Sequence, residues 1–188
     1  MGEYGGFWSR LWARTIDIMV VLPLASLNYW FWADSRRMVM FAALPLSLLT
    51  PAYLIILHGL RGQSFGKIAL GLKIESISGG RVSWPRVIAR FSPVALFQVV
   101  WGVGVVSSTH ALPDILFQTA SFRQKARLIH EGMPHWVQSC ISLYTLWVFA
   151  DVIVLTVSSK KRSIHDLLAG TVVRQSKASV AIQSGQAG

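Results

Sequence analysis

Two aspartates sit inside stretches of chain that otherwise carry no charge. Asp17 is the only charged residue between Thr15 and Ala33, and Asp151 lies within the apolar stretch 136–157. A carboxylate in a poorly solvating region costs about 2.5–3.5 kcal/mol on insertion scales, so it needs a counter-charge or a task. If helical, Arg14, Asp17, Val21, Leu24 and Asn28 share one stripe that Arg10 extends, because their spacing alternates between three and four. This leaves two roles for Asp17: an ion pair with Arg14 that fixes helix packing, or a carboxylate that takes up a proton or a cation. Asp151 lies six residues before Val157, about 9 Å from that end of the stretch at 1.5 Å per residue. It has the same two roles, its structural partner being Arg10 or Arg14. Two carboxylates sharing one poorly solvated pocket hold one proton between them more readily than two charges. Such a pair suits exchange of protons against a cation.

Other chemistry-bearing patterns have simpler explanations. Ser163-Ile164-His165-Asp166 has the spacing of a capping box, with Gly170 placed to close the short helix. That structural role accounts for Asp166, which is expected to act mainly as a cap. His165 beside it points about 100° away on a helix, so the two do not form a dyad. Gly62-Gln63-Ser64-Phe65-Gly66 matches a nucleophile elbow in letters, yet there is no room for the sheet that elbow requires. Gly66-Lys67 lacks the first glycine and the hydroxyl residue of a phosphate-binding loop, having Arg61 and Ile68 there. The glycines are expected to let the backbone turn closely. His58, His110, His130 and His135 show no metal-ligand spacing, and the lone Cys140 excludes an intrachain disulfide. No metal, cofactor or enzymatic activity is expected.

The elements that must position these residues follow from composition. The chain has 188 residues, 53% hydrophobic and 14% charged, with a mean hydropathy of +0.48. Soluble domains carry roughly 25% charged residues, which argues against an ordinary soluble protein. Four apolar stretches, about 11–33, 38–58, 91–112 and 136–157, each approach the roughly 20 residues that cross a bilayer as a helix. The expected fold is an all-α membrane protein: a four-helix transmembrane bundle with a small cytoplasmic β-hairpin and short amphipathic helices. Leu72–Ile77 alternates, Gly79-Gly80 turns, and Arg81–Trp84 returns as the second strand. Thr171–Val173 reads as a further short strand, with pairing to the hairpin left open. Pro85 suits the start of an interfacial helix, the outer segment 113–135 suits an amphipathic one, and 175–188 reads as a disordered cytoplasmic tail.

Basic residues set the orientation. With four spans and the N-terminus inside, thirteen of the eighteen Lys and Arg fall on the cytoplasmic side, leaving only Arg36, Arg37, Arg123, Lys125 and Arg127 outside. The positive-inside rule then places both termini in the cytoplasm of a multi-pass protein of the cytoplasmic (inner) membrane. It also accounts for the net charge of +10 without nucleic acid.

Three blocks together resemble the RDD family of small membrane proteins, in the family's order. They are Arg10-Leu-Trp-Ala-Arg-Thr-Ile-Asp17, Gly62-Gln-Ser-Phe-Gly-Lys67 with Gly71-Leu-Lys-Ile74, and Lys161-Arg-Ser-Ile-His-Asp-Leu-Leu-Ala-Gly-Thr-Val-Val173. They bracket residues 7–174 as a single domain. The resemblance marks Gly62, Gln63, Ser64, Gly66, Lys67, Gly71, His165, Asp166, Gly170 and Thr171 as motif residues with structural roles. It implies transport, since some members look like cation/proton antiporters, while others act as scaffolds within membrane complexes. The leading expectation is monovalent cation/proton exchange using Asp17 and Asp151, with Arg10 and Arg14 beside them. A homo-oligomer is expected because four helices leave little room for a pathway in one protomer. The alternative is an accessory or scaffold subunit docking a membrane-complex partner through its basic cytoplasmic face.

The orientation is testable after Cys140→Ser. Single cysteines placed in 76–80 should react with membrane-impermeant maleimides only from the cytoplasmic side, and those in 34–37 and 113–135 only from outside. Labelling of 76–80 from outside would reverse the topology.

Overall fold

A computed structural model of the chain describes residues 4–175, with side chains throughout that stretch except 24–34. The expected tail beyond Gln175, and the Leu24 and Asn28 end of the Asp17 stripe, lie outside the described residues and side chains. In chain order the elements are α1 (Phe7–Asp34), α2 (Arg36–Ser47), α3 (Leu49–Arg61), α4 (Phe65–Ala69), β1 (Leu72–Ser76), α5 (Trp84–Ala111), α6 (Asp114–Thr119), α7 (Phe122–Glu131), α8 (His135–Val157), α9 (Ile164–Ala169) and β2 (Thr171–Gln175). Gln175 thus closes a strand rather than opening the tail.

The long helices follow the apolar stretches. Among the described residues, three helical segments are long and apolar enough to cross a bilayer: Arg36–Arg61, Trp84–Ala111 and His135–Val157, with mean hydropathies of 2.0, 1.5 and 2.0. Their apolar side chains mostly face outward. Phe41 and Val157 are 78% and 80% exposed, and Leu96, Leu143 and Leu146 are exposed too. A surface this apolar fits a hydrocarbon solvent, in which helices satisfy every backbone group internally. The expected first span, 11–33, falls within α1. The second segment is divided rather than continuous. Pro45 and Pro51 remove two helical N–H donors, and the helix breaks at Leu48 between α2 and α3.

The chain divides into two units. In one (21–52 and 94–146), Val39, Ala43, Val105, Phe117, Ile129, Met133 and Val137 form the core. Gly102 lies against Leu44 and Ser47, and Phe97 stacks on Tyr144 with centroids 4.0 Å apart. The segment 113–135 holds α6 and α7 there. Ser121 caps α7 in a box with Gln124, whose side chain accepts from the Ser121 amide at 2.8 Å. Arg36 fastens this end by donating to the Thr109 carbonyl and pairing with Asp114 at 2.5 Å.

The other unit (4–20, 53–93 and 147–175) is built around Ala13, Leu72, Ile74, Val82, Val87, Phe91 and Val173. Here the expected hairpin is corrected. β1 and the glycine turn form as anticipated, with Gly79 and Gly80 at φ +87° and +83°. The partner strand is β2, antiparallel, running from Leu72 opposite Gln175 to Ser76 opposite Thr171. Arg81–Trp84 is committed elsewhere. Arg81 donates to the Gly59 and Leu60 carbonyls at the end of α3, Val82 is buried in the core, and Trp84 already starts α5. Pro85 suits the first turn of a helix, where its missing N–H would have had no partner. α5 therefore runs unbroken from Trp84, with no separate interfacial helix before it. Thr171, Val172 and Val173, β-branched and buried, fill the vacated edge.

α4 packs onto α1 through Gly66. A Cβ there would lie 1.9 Å from the Ala13 carbonyl oxygen, a backbone atom of α1. Gly66→Ala should therefore lower stability by about 1–3 kcal/mol or more through overpacking. Gly6→Ala, which meets nothing within 4 Å, should stay within about 0.5 kcal/mol of the parent. Thermal unfolding in detergent, followed by tryptophan fluorescence, distinguishes them. Equal midpoints for the two variants would refute the close contact.

Candidate functional site

Apolar helices carry the unit, yet its interior gathers an unusual density of polar groups. Asp166 is fully buried in the first turn of α9. Its Oδ2 receives the Ser163 amide at 3.1 Å, the capping contact expected from the sequence. The same carboxylate is also clamped by two arginines. Arg10 of α1 reaches Oδ2 at 2.5 Å, and the buried Arg90 of α5 reaches Oδ1 while donating to Thr171 Oγ1 at 2.6 Å. Arg10 further donates to the carbonyls of Gly5 and Lys161. Capping is thus only part of the role of Asp166. Burial alone would raise its carboxyl, but Arg90 and then Arg10 hold it far below the ordinary carboxylate range.

Asp17 is held differently. Its carboxylate accepts from Ser64 Oγ at 2.6 Å, the Gly66 amide at 2.8 Å and the Tyr53 hydroxyl at 3.0 Å. The Tyr53 oxygen in turn accepts the Phe65 amide. The anticipated Arg14–Asp17 ion pair is absent, and Arg14 is exposed. The reason is local: the α4 turn supplies two donors and Tyr53 of α3 a third at the buried face of α1, while Arg14 is exposed. This explains the motif glycines. Gly62, at φ +71°, turns the chain out of α3, and Gly66 lets the α4 amide come close enough to be bound. Gln63 secures the turn by donating to the Leu72 carbonyl at 2.8 Å. Gly71 and Gly170, at φ +62° and +61°, occupy left-handed positions before the two strands.

Asp151 does not pair with Arg10 or Arg14. Its Oδ1 meets His165 Nδ1 at 2.9 Å and accepts the His165 amide at 3.2 Å. The side chain of α8 thereby caps the first turn of α9. His165, first by burial and then by the field of Arg90, has its proton affinity lowered despite Asp151. At neutral pH the contact joins a carboxylate to a neutral imidazole. Asp17 and Asp151 have separate partner sets and share no hydrogen-bonding group.

A last pair completes the interior. His58, 1% exposed, sets its Nδ1 2.6 Å from the Leu54 carbonyl and its Nε2 2.8 Å from Lys67 Nζ. Its ring lies beside Phe91, centroids 4.8 Å apart. Tyr53 carries no signal in the sequence, Arg90 is legible there only as one of many basic residues flanking an apolar stretch, and His58 only as a histidine without metal-ligand spacing. Among the described residues no group of three or more His, Cys, Asp or Glu is placed to hold a metal ion.

The blocks Arg10–Asp17, Gly62–Ile74 and Lys161–Val173 therefore meet in one unit, around Asp17 and Asp166. The model of the RDD family matches residues 4–170, nearly all of the described chain. The chain belongs to the RDD family. No curated protein and no solved structure matches it. In this RDD protein the motif residues Ser64, Gly66 and Thr171 turn out to donate to two buried carboxylates, which the spacing of letters alone could not show.

The double clamp predicts how Asp166 responds to substitution. Asp166→Asn keeps a capping oxygen but leaves Arg10 and Arg90 buried without an anion. It should cost about 3–5 kcal/mol, nearly as much as Asp166→Ala. Because the folded carboxyl is depressed, its contribution is complete above the unfolded value of about 4 and is lost as pH falls below that toward the folded value. Unfolding midpoints of the parent and both variants, measured from pH 7 down to pH 3, check this. An Asn variant as stable as the parent would reduce Asp166 to a cap.

Proposed function

We propose that this RDD protein is a transport protein of the cytoplasmic membrane that exchanges a monovalent cation against protons. The observation that carries the proposal is the environment of Asp17. A buried carboxylate, 8% exposed, is held in an apolar helix by two hydroxyls and one amide, without an ion-pair partner among the described residues. An ionisable group in a membrane helix is costly and marks an ion or proton path by default. One held by uncharged donors retains the negative charge that a cation or proton can neutralise; one locked to an arginine does not. Asp166 is the contrast within the same unit, its charge already matched by two guanidiniums. Asp151 supplies the second acid of the proposal, bonded to an imidazole that is neutral at physiological pH.

In this reading α1 is the fourth membrane-crossing helix, both termini and residues 59–90 face the cytoplasm, and the protein works as a homo-oligomer. The polar unit then lies at the cytoplasmic end of the helices, where the Lys- and Arg-rich segments are.

Flux in reconstituted vesicles tests the proposal. A pH gradient should drive sodium, lithium or potassium movement through the parent. Asp151→Asn, which keeps an acceptor for the His165 amide but cannot ionise, should reduce that flux at least tenfold while unfolding at nearly the parent temperature. Asp17→Asn should abolish it and also cost about 1–3 kcal/mol, because an amide cannot accept from all three donors. No flux from well-folded parent with any of these ions would sink cation exchange. Unchanged flux in both variants, with a partner protein released by charge reversal in 59–90, would favour a scaffold.

A further inference from the structure

Lys67 is a motif residue whose role is not explained by the carboxylates. We infer that Lys67 and His58 form a proton-exchange site, with the Lys67 amine as the group that loads and releases the proton; its use in transport rests on the reading above.

The geometry sets the roles of the atoms. His58 Nδ1 lies 2.6 Å from the Leu54 carbonyl, which can only accept, so Nδ1 carries the hydrogen. Nε2 is left as an acceptor, and the Lys67 amine fills it at 2.8 Å. This contact survives in both protonation states. An ammonium donates to Nε2, and after losing a proton to water the neutral amine still has two N–H bonds, one of which continues to donate. A salt bridge behaves otherwise, because loss of either charge breaks it.

Among the described residues no carboxylate lies within ion-pair distance of Lys67. The charged and titratable groups around the pair come from every neighbouring element. Arg10 and Asp17 stand on α1, Arg90 on α5, and Asp166 and His165 on α9. The acids among them are already engaged: Asp166 by two arginines, and Asp17 by Ser64, Gly66 and Tyr53. Lys67 is therefore a half-buried amine, bonded to a neutral imidazole and repelled by Arg90. Burial first, and Arg90 second, bring its proton affinity down to about 7. A group matched to the working pH gains and loses its proton with little driving force either way, which is the property exchange requires. Asp17, whose charge favours the ammonium, couples the two sites: neutralising Asp17 with a cation promotes release of the Lys67 proton.

The test uses the full chain in detergent with lysine labelled at Nζ with ¹⁵N. Of the six lysine signals, the one missing from Lys67→Arg should titrate with a midpoint near pH 7. His58→Phe, which removes the acceptor but keeps a ring beside Phe91, should move that midpoint at least half a unit lower. A Lys67 midpoint above pH 9 in folded parent overturns the inference. In vesicles, Lys67→Gln donates to Nε2 without a charge to exchange. It should remove the pH dependence of cation flux between pH 6 and 8 while remaining folded. An unchanged pH profile in Lys67→Gln overturns the role of the pair and leaves transport standing. A parent without flux but with a Lys67 midpoint near 7 overturns transport and leaves the titrating pair standing.

Discussion

One buried carboxylate constrains this unit more than any other group. Asp166 cannot remain ionised in a poorly solvating interior without compensation, and in this structure each of its oxygens meets a different guanidinium. The two that do so come from opposite parts of the chain, Arg10 being 156 residues away and Arg90 76 residues away. α1, α5 and α9 must therefore converge on one point, whatever the apolar faces of the helices would tolerate. Apolar packing against lipid-like surroundings is permissive, since most hydrophobic side chains here face outward and would do so in many arrangements. A charge cluster that must close is not permissive.

Asp17 applies the same logic with a different chemistry. Two of its donors, Ser64 and Gly66, belong to the short segment between α3 and β1, and Tyr53 of α3 adds the third, so the carboxylate fixes where that segment lands on α1. The glycines between Gly62 and Gly71 serve this contact, because only a bare Cα lets the α4 amide lie against the Ala13 carbonyl. Sequence motifs that looked like a nucleophile elbow or a phosphate loop are thus the receiving surface for an aspartate. The resemblance in letters reflects a shared physical need, the close approach of backbone amides to an anion.

The apolar stretches were legible because hydrocarbon imposes a length and a composition. The Ser163–Asp166 box and the left-handed Gly170 were legible because helix ends have few chemical solutions. The family blocks were legible from the resemblance, but their meeting in one unit was not. What could not be read was partnership. Asp17 was matched with Arg14 because they are three residues apart, yet its donors lie 36 to 49 residues away. Asp151 was matched with the N-terminal arginines because charge seeks charge, while the structure gives it a histidine whose neighbour, Asp166, has taken Arg10. The hairpin failed for the same reason. Local alternation identified β1 and its turn, but the choice of strand depends on what Arg81 and Trp84 do elsewhere.

The sheet carries a consequence for the order in which the protein can be made. β1 pairs with residues 171–175, and Asp166 stands just before them, so the last described stretch closes what the first helix begins. During synthesis Arg10, Asp17 and Arg90 emerge well before the groups that complete their surroundings. Until residues 163–175 have left the ribosome, the edge of β1 is open and two arginines lack their anion. Assembly of this unit therefore waits for residues 163–175, which act as its keystone.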